Sequence, residues 1–343
     1  MIQYIIRRLL SSVLVILVII TAAFTLVRAV PGNPFAKDRG VDATAMANKL
    51  RAYNLDKPIF PIYLEQSPEA ELPIVWDEPP AQLELGPLRI IYGPSDIAKT
   101  QYFTYMGSLL SGDLGKSMKR TETVGQQIKA GVGFSLQLGI QALFIALLIG
   151  IPAGLLAGLK QNKWQDYTAM SAAMVGVSIP NFVLAPILIL IFSLGLGWFT
   201  SSGWTSWSDS VLPSLSLGLY YAAYVARLTR GGMLESIRKD YIRTARAKGL
   251  DEGKVVTRHT MRGALLPVAS FLGPAFAGML TGSVVIERIF SIPGIGDYFV
   301  QAAFDRDYNL ILGVVILYST LLVLLNLFVD VLYTVLDPRV TYD

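Results

Sequence analysis

Six stretches of this chain are long and apolar enough to cross a hydrocarbon layer about 30 Å thick, and nothing else constrains its fold as strongly. They run over Leu9–Val27, Phe134–Leu159, Tyr167–Trp198, Val211–Thr229, Leu266–Ile286 and Leu310–Leu332. In lipid each backbone N–H and C=O must be paired within its own segment, so such stretches predict helices. The fold class expected is an all-α polytopic membrane protein with six transmembrane helices. The composition agrees. Charged residues make up 16% of the chain and apolar types 53%, whereas a soluble domain carries about 25% charge.

The third stretch is too long for one straight span. Pro180 removes a backbone donor and clashes with the preceding turn, and Pro186 repeats this one and a half turns later. A kink is expected near Ser178–Asn181, with the first half tilted or lying partly along the interface. The fifth stretch places Gly273 four residues before Ala277, and Gly278 four before Gly282. Small residues at that spacing stack on one helix face and allow close helix approach. Ser178, Pro180, Asn181, Gly273, Ala277, Gly278 and Gly282 are therefore candidates for helix packing, for lining a solute path, or for both.

Arg7 and Arg8 before the first stretch resemble the basic start of a secretory signal. The run from Leu9 to Val27 exceeds the roughly 7–15 residues of a signal core, and Arg28 stands where cleavage wants small neutral residues. A retained first span is expected. Lys and Arg then set the orientation. Arg7, Arg8, Lys160, Lys163, the long basic series in 230–265 and Arg339 fall on one side, against Arg288 and Arg306 in the short opposite loops. Both termini read as cytoplasmic.

The segment 29–132 is the one long soluble part and is expected outside. Between Arg28 and Gly133 its 12 basic and 12 acidic side chains cancel, and eight of the chain's 18 prolines fall between Pro58 and Pro94. One long helix is excluded there. Short apolar runs at Leu72–Trp76 and Leu83–Tyr92, the second divided by Gly86-Pro87, suggest a small β-hairpin lid. The remaining divisions are 1–28 with the first span, 133–335 as the membrane domain, and a tail at 336–343.

Much chemistry is excluded. No cysteine means no disulfide, thiolate metal site or Cys nucleophile, and His259 as the one histidine removes two-His metal sites. Gly112-Asp-Leu-Gly115-Lys116-Ser117 nearly makes a phosphate-binding loop, but Leu110 stands where its first glycine belongs. A glycine-rich turn is expected instead. Asp330 and Glu287 lie near span ends rather than at mid-depth, which disfavours an ion-coupled secondary transporter. A serine–base pair in the bilayer is absent as well, since His259 lies in the basic loop. No catalytic residue, cofactor, metal or nucleic-acid partner is expected.

The basic loop 230–265 carries order of its own. Arg238 to Lys248 reads as a short helix ended by Gly249 at the left-handed C-cap position. Lys254 to Leu266 reads as a second helix entering the membrane at Pro267. Together they make a rigid knob, and the small residues Thr244, Ala245 and Ala247 would let it sit against a partner's groove. An orientation signal alone, or a membrane scaffold recruiting a cytoplasmic partner without transport, would use the same loop.

Here the residues resemble a known family, the permease subunits of ATP-binding-cassette importers of the dipeptide/oligopeptide/nickel class. Arg243-Thr-Ala-Arg-Ala-Lys-Gly249-Leu250 is similar to that class's form of the cytoplasmic EAA loop. The general EAA pattern begins with Glu and reaches its Leu-Pro sooner. Arg243 in the Glu position, and Leu266-Pro267 well after Gly249, resemble the peptide-permease variant. Ile5-Ile-Arg-Arg-Leu9, Val30-Pro-Gly-Asn-Pro34 and Gly112-Asp-Leu-Gly115 are similar to the family's opening and outer segment. Ile289-Phe-Ser-Ile-Pro-Gly294 resembles the loop after its fifth span, and Val329-Asp330 with Asp337-Pro-Arg339 its carboxyl end. The long outer segment favours the B-type permease, although Ser67–Lys99 is longer than in a typical dipeptide member.

The resemblance implies a type I importer fold in the cytoplasmic (inner) membrane. It implies a second, C-type permease, two ATP-binding subunits and an extracytoplasmic solute-binding protein as partners. Arg243, Thr244, Ala245, Arg246, Ala247, Lys248, Gly249 and Leu250 would form the coupling contact with an ATP-binding subunit, and the chain would form half of a path for peptides or a related solute.

Overall fold

The computed structural model describes residues 2–30, 34–35, 43–64, 80–85 and 88–336. In chain order the elements are α1 (Ile2–Ala29), α2 (Ala43–Ala52), β1 (Ile62–Leu64), β2 (Gln82–Leu85), β3 (Leu88–Ile91), α3 (Pro94–Ala98) and α4 (Gln101–Leu110). Then follow α5 (Val124–Leu159), α6 (Trp164–Ser178), α7 (Asn181–Leu188), α8 (Val211–Ser236), α9 (Asp240–Ala247), α10 (Glu252–Lys254) and α11 (Met261–Ala264). The chain closes with α12 (Leu266–Ile289), α13 (Ile295–Asp305) and α14 (Tyr308–Leu336). It divides into two compact units, one of Met1–Ile16, Ala130–Val300 and Leu317–Asp343, the other of Leu17–Lys129 and Gln301–Ile316.

Arg7–Ala29, Val124–Leu159 and Tyr308–Phe328 are each long and apolar enough to span alone. Two bent pairs reach that length only together: Trp164–Ser178 with Asn181–Gly195, at 103°, and Glu252–Ala264 with Leu266–Leu280, at 49°. The expected kink at Ser178–Asn181 is thus a sharp break. Ile179 is extended (φ −86°, ψ 116°), because the ring of Pro180 crowds the α conformation of the residue before it. Each arm is about 22 Å long, short of the hydrocarbon thickness. Pro186 is carried inside α7 without ending it.

The stretch Val211–Thr229 lies in α8, which runs for 26 residues. Pro213, Ser214, Ser216 and three tyrosines dilute its hydropathy, and it is the element at the centre of the first unit. Leu212, Leu217 and Ala222 pack with Leu138, Ala142 and Ala146 of α5, Ala185 and Leu188 of α7, and Met279 and Ile286 of α12. Glycines set the α5–α8 distance. A Cβ on Gly150 would lie 2.6 Å from the Ala222 carbonyl oxygen, and one on Gly158 2.5 Å from the Met233 Cβ. Gly154 meets the Ala226 carbonyl in the same way. Backbone approach this close needs hydrogen as the side chain.

The second unit has its own core, in which the ring of Phe24 meets Tyr102 at 5.3 Å and Tyr105 at 5.6 Å. Arg28 lies 3.7 Å above the Phe24 ring and donates from Nε to Gln101 Oε1 at 2.8 Å. The expected hairpin is present as β2 and β3, with Leu83 opposite Ile90. β1 adds a third antiparallel strand, giving the order β1-β3-β2. Leu72–Trp76 and the dipeptide Gly86-Pro87 lie outside the described residues. Gly112 and Gly115 both have positive φ (81° and 82°), and the Gly115 carbonyl accepts from the Val124 N–H at 3.0 Å. This is the glycine-rich turn, leading into α5.

Candidate functional site

The basic loop folds as a short helix, a glycine turn and a second helix. The helix α9 stops in a Schellman arrangement: the Gly249 N–H donates to the Arg246 carbonyl at 2.9 Å and the Leu250 N–H to the Ala245 carbonyl at 3.3 Å. Gly249 itself has φ +76°, the left-handed geometry expected from its place in the sequence. The second helix begins at Glu252 rather than Lys254, because Asp251 caps it and accepts from the Gly253 N–H at 2.9 Å. Arg246 bridges the turn to Glu252, with Nε to Oε2 at 3.0 Å and Nη2 to Oε1 at 2.6 Å. That pairing lowers the Glu252 carboxyl below its usual range.

Arg243, Thr244, Arg246, Ala247, Lys248, Gly249 and Leu250 are exposed. Ala245 is not. It packs inward with Ile242 and Val255, so the expectation that it offers a small docking surface is corrected. The period of α9 puts Ala245 on the face of Ile242, three residues before it, and turns Thr244 and Ala247 outward. The knob is anchored to α8 through Met233, Val256 and Ala264. A Cβ on Gly232 would collide with the Ala264 backbone.

Beside this anchor lies an ion pair that the sequence reading did not single out. Asp166, in the first turn of α6 and 2% exposed, receives Arg230 of α8 at 2.6 and 2.7 Å. It also accepts the Asn162 N–H at 3.0 Å. Its signal in the sequence was an acid within the first turn of an apolar segment, the end of a helix dipole that favours negative charge.

At the other end of α12, Glu287 is fully buried. Its carboxylate accepts Ser135 Oγ, Ser283 Oγ and the Gly296 N–H, each at 2.8 Å, and the Asp297 N–H at 3.3 Å. It therefore caps α13 from within. The glycines of Pro293-Gly294-Ile295-Gly296 are what the cap requires: side chains on Gly294 or Gly296 would run into the Glu287 carboxylate. The resemblance had flagged this motif, and the structure supplies its reason.

Of the possible pathway residues, Ser178 and Pro180 are exposed and Asn181 is half-buried at the break. Ser178 Oγ donates back to the Met174 carbonyl at 2.8 Å. Gly273 and Ala277 are buried. A Cβ on Gly278 would meet the Tyr221 hydroxyl at 2.5 Å, so this glycine leaves room for the tip of a side chain reaching over from α8. Gly282 lies within α12, its surroundings outside the described side chains.

Residues 150–342 match the family "binding-protein-dependent transport system inner membrane component". The chain is 39% identical over 345 residues to the oligopeptide transport system permease protein OppB of Salmonella typhimurium, covering 100% of both. It is 38% identical over 341 residues to the dipeptide transport system permease protein DppB of Bacillus subtilis, covering 99% of this chain and 98% of that one. The glutathione transport system permease protein GsiC of Escherichia coli is 33% identical over 344 residues, with 100% of both covered. Among solved structures, an inward-facing MetNI methionine ABC transporter chain superposes with a TM-score of 0.53 at 20% identity. It covers 64% of this chain and 100% of that one, which shows a shared fold. The chain belongs to the binding-protein-dependent transport system inner membrane components, the permease subunits of ATP-binding-cassette importers.

Proposed function

We propose that this permease serves an importer of short peptides, as the B-type member of a permease heterodimer. The observation that carries the solute class is full-length identity of 38–39% to permeases named for oligopeptides and dipeptides. The partners are a C-type permease, two ATP-binding subunits and an extracytoplasmic binding protein. α8 counts as a span with the five candidates, giving six, both termini cytoplasmic and 29–132 outside.

In this reading the exposed face of the knob, Arg243, Thr244, Ala247, Lys248 and Leu250, seats in a groove of an ATP-binding subunit. Ala245 and Gly249 hold its shape. Closure of the ATP-binding subunits moves the knob as a body, because the Schellman turn and the Arg246–Glu252 pair leave it little internal freedom. Its anchor on Met233 passes that motion to α8. The chain makes no bond; it converts partner motion into alternating access.

Reconstitution of the five-component complex in liposomes tests this. ATP-dependent accumulation of a labelled tripeptide, abolished without the binding protein, is the expected result. Binding without flux would support a scaffold instead.

A further inference from the structure

α8 and α12 carry a group of side chains that packing alone does not use. Tyr224 stacks on Phe271, with ring centroids 5.8 Å apart and planes 27° from parallel. Tyr220 joins it at 5.3 Å, and the two tyrosine hydroxyls lie 3.3 Å apart. Arg227 holds its guanidinium 5.0 Å over the Tyr224 ring. Tyr224, Arg227, Leu228 and Phe271 line an open cavity of about 380 Å³.

Arg227 lies two residues before the end of the apolar stretch Val211–Thr229, at a depth where a long cationic side chain can still reach polar partners. Among the described residues no carboxylate pairs with it. Its neighbour Arg230, one helical turn on, shows the contrast, being closed onto Asp166. The Arg227 side chain is exposed to the cavity, and stacking on a ring leaves the N–H edge of the guanidinium open for a planar anion.

We propose that Arg227, with Tyr220, Tyr224 and Phe271, forms a subsite for the terminal carboxylate of a peptide in transit. This rests on the peptide reading above. The carboxylate takes the N–H edge of Arg227, the tyrosine hydroxyls meet peptide polar groups, and the Tyr224–Phe271 face accepts apolar parts of the chain. A free carboxyl terminus is common to all unmodified peptides, so recognition there holds a solute without reading its sequence.

The test uses the complete complex in liposomes, with trialanine and its carboxyl-terminal amide as probes, each loaded to saturation on the binding protein. The wild type is expected to import the free acid faster than the amide. Arg227→Gln should lower the maximal rate for the acid roughly tenfold, the size of a lost charged hydrogen-bond pair, and leave the amide nearly unchanged. Arg227→Lys, kept in case the first variant assembles poorly, should retain part of the preference because an ammonium binds singly. An unchanged acid-to-amide ratio in both variants overturns the subsite. So does an equal fall for both peptides that tracks the anionic lipid content, which would assign Arg227 to a headgroup. If the wild type imports neither peptide, the peptide reading fails first and takes the subsite with it.

Discussion

Arg230 grips Asp166 with both arms of its guanidinium, Nε on Oδ1 at 2.6 Å and Nη2 on Oδ2 at 2.7 Å. The pair ties the start of α6 to the part of α8 from which the knob hangs. Removing one partner leaves the other charge poorly paired, so Asp166→Asn is expected to cost about 2 kcal/mol or more. Asp166→Asn should therefore lower the melting temperature of the purified protein, and Arg230→Lys should do so too, because an ammonium cannot make both bonds. Melting at the wild-type temperature in both variants would contradict this.

Gly249 sits at φ +76° with open space around it. A β-branched residue would meet no neighbour there but would strain its own backbone by about 1–2 kcal/mol. Gly249→Val should reach the membrane at normal levels yet retain less ATP-binding subunit in pull-downs and lose uptake. Gly249→Asn should recover part of both, since Asn tolerates the left-handed region. Equal defects in Val and Asn variants would point away from backbone geometry.

Ala245 and Ala247 are two residues apart and face opposite ways, which separates fold from docking. Ala245→Glu places a charge among Ile242 and Val255 and should open the knob, at about 3 kcal/mol or more. Limited proteolysis within 240–255 should then accelerate. Ala247→Glu leaves that core alone, so proteolysis should match the wild type while recruitment of the ATP-binding subunit falls. Faster proteolysis in both would sink the distinction.

The cap on α13 can be probed through a gap in the composition, because the chain has no cysteine. A single Ile292→Cys reporter, at a fully buried position of the turn, reports on opening over Glu287. Glu287→Ala removes both acceptor oxygens and leaves the Gly296 and Asp297 N–H groups without their carboxylate partner. Maleimide labelling of the reporter is expected to speed up roughly tenfold, the effect of about 1.4 kcal/mol of local opening. Labelling at the wild-type rate would show that the capping bonds do not hold the turn.

Reporter fusions check the orientation. Fusions after Trp164 and Gly253 should report cytoplasm, and one after Asp113 the outside. A cytoplasmic Asp113 would invert the topology and remove the coupling role of the knob.

Much of this was legible from residue types and spacing. The break at Pro180 and the left-handed turn at Gly249 follow from local sterics, which sequence carries directly. The inward turn of Ala245 was legible too, from its place one helical turn after Ile242, but alanine's small size suggested a surface made for contact. The Asp166–Arg230 pair was not readable, since 64 residues separate its members and charge counting takes Arg230 as an orientation signal while passing over Asp166. The same holds for Glu287, whose partner Ser135 lies 152 residues away. Gly150, Gly154 and Gly158 repeat at four-residue spacing as plainly as the glycines of the fifth stretch, and only their counterpart on α8 was hidden.

Those three glycines also decide where the membrane domain can bend. With hydrogen as the spacer, Gly150 and Gly154 bring α5 onto the Ala222 and Ala226 carbonyls of α8, and Gly158 seats the Met233 side chain, leaving little room there to shear or repack. The two helices behave as a single strut. Any hinge in the first unit is displaced from that strut to the joints that lack such contact: Ile179, where α6 breaks from α7, and Leu265, where the knob's second helix gives way to α12.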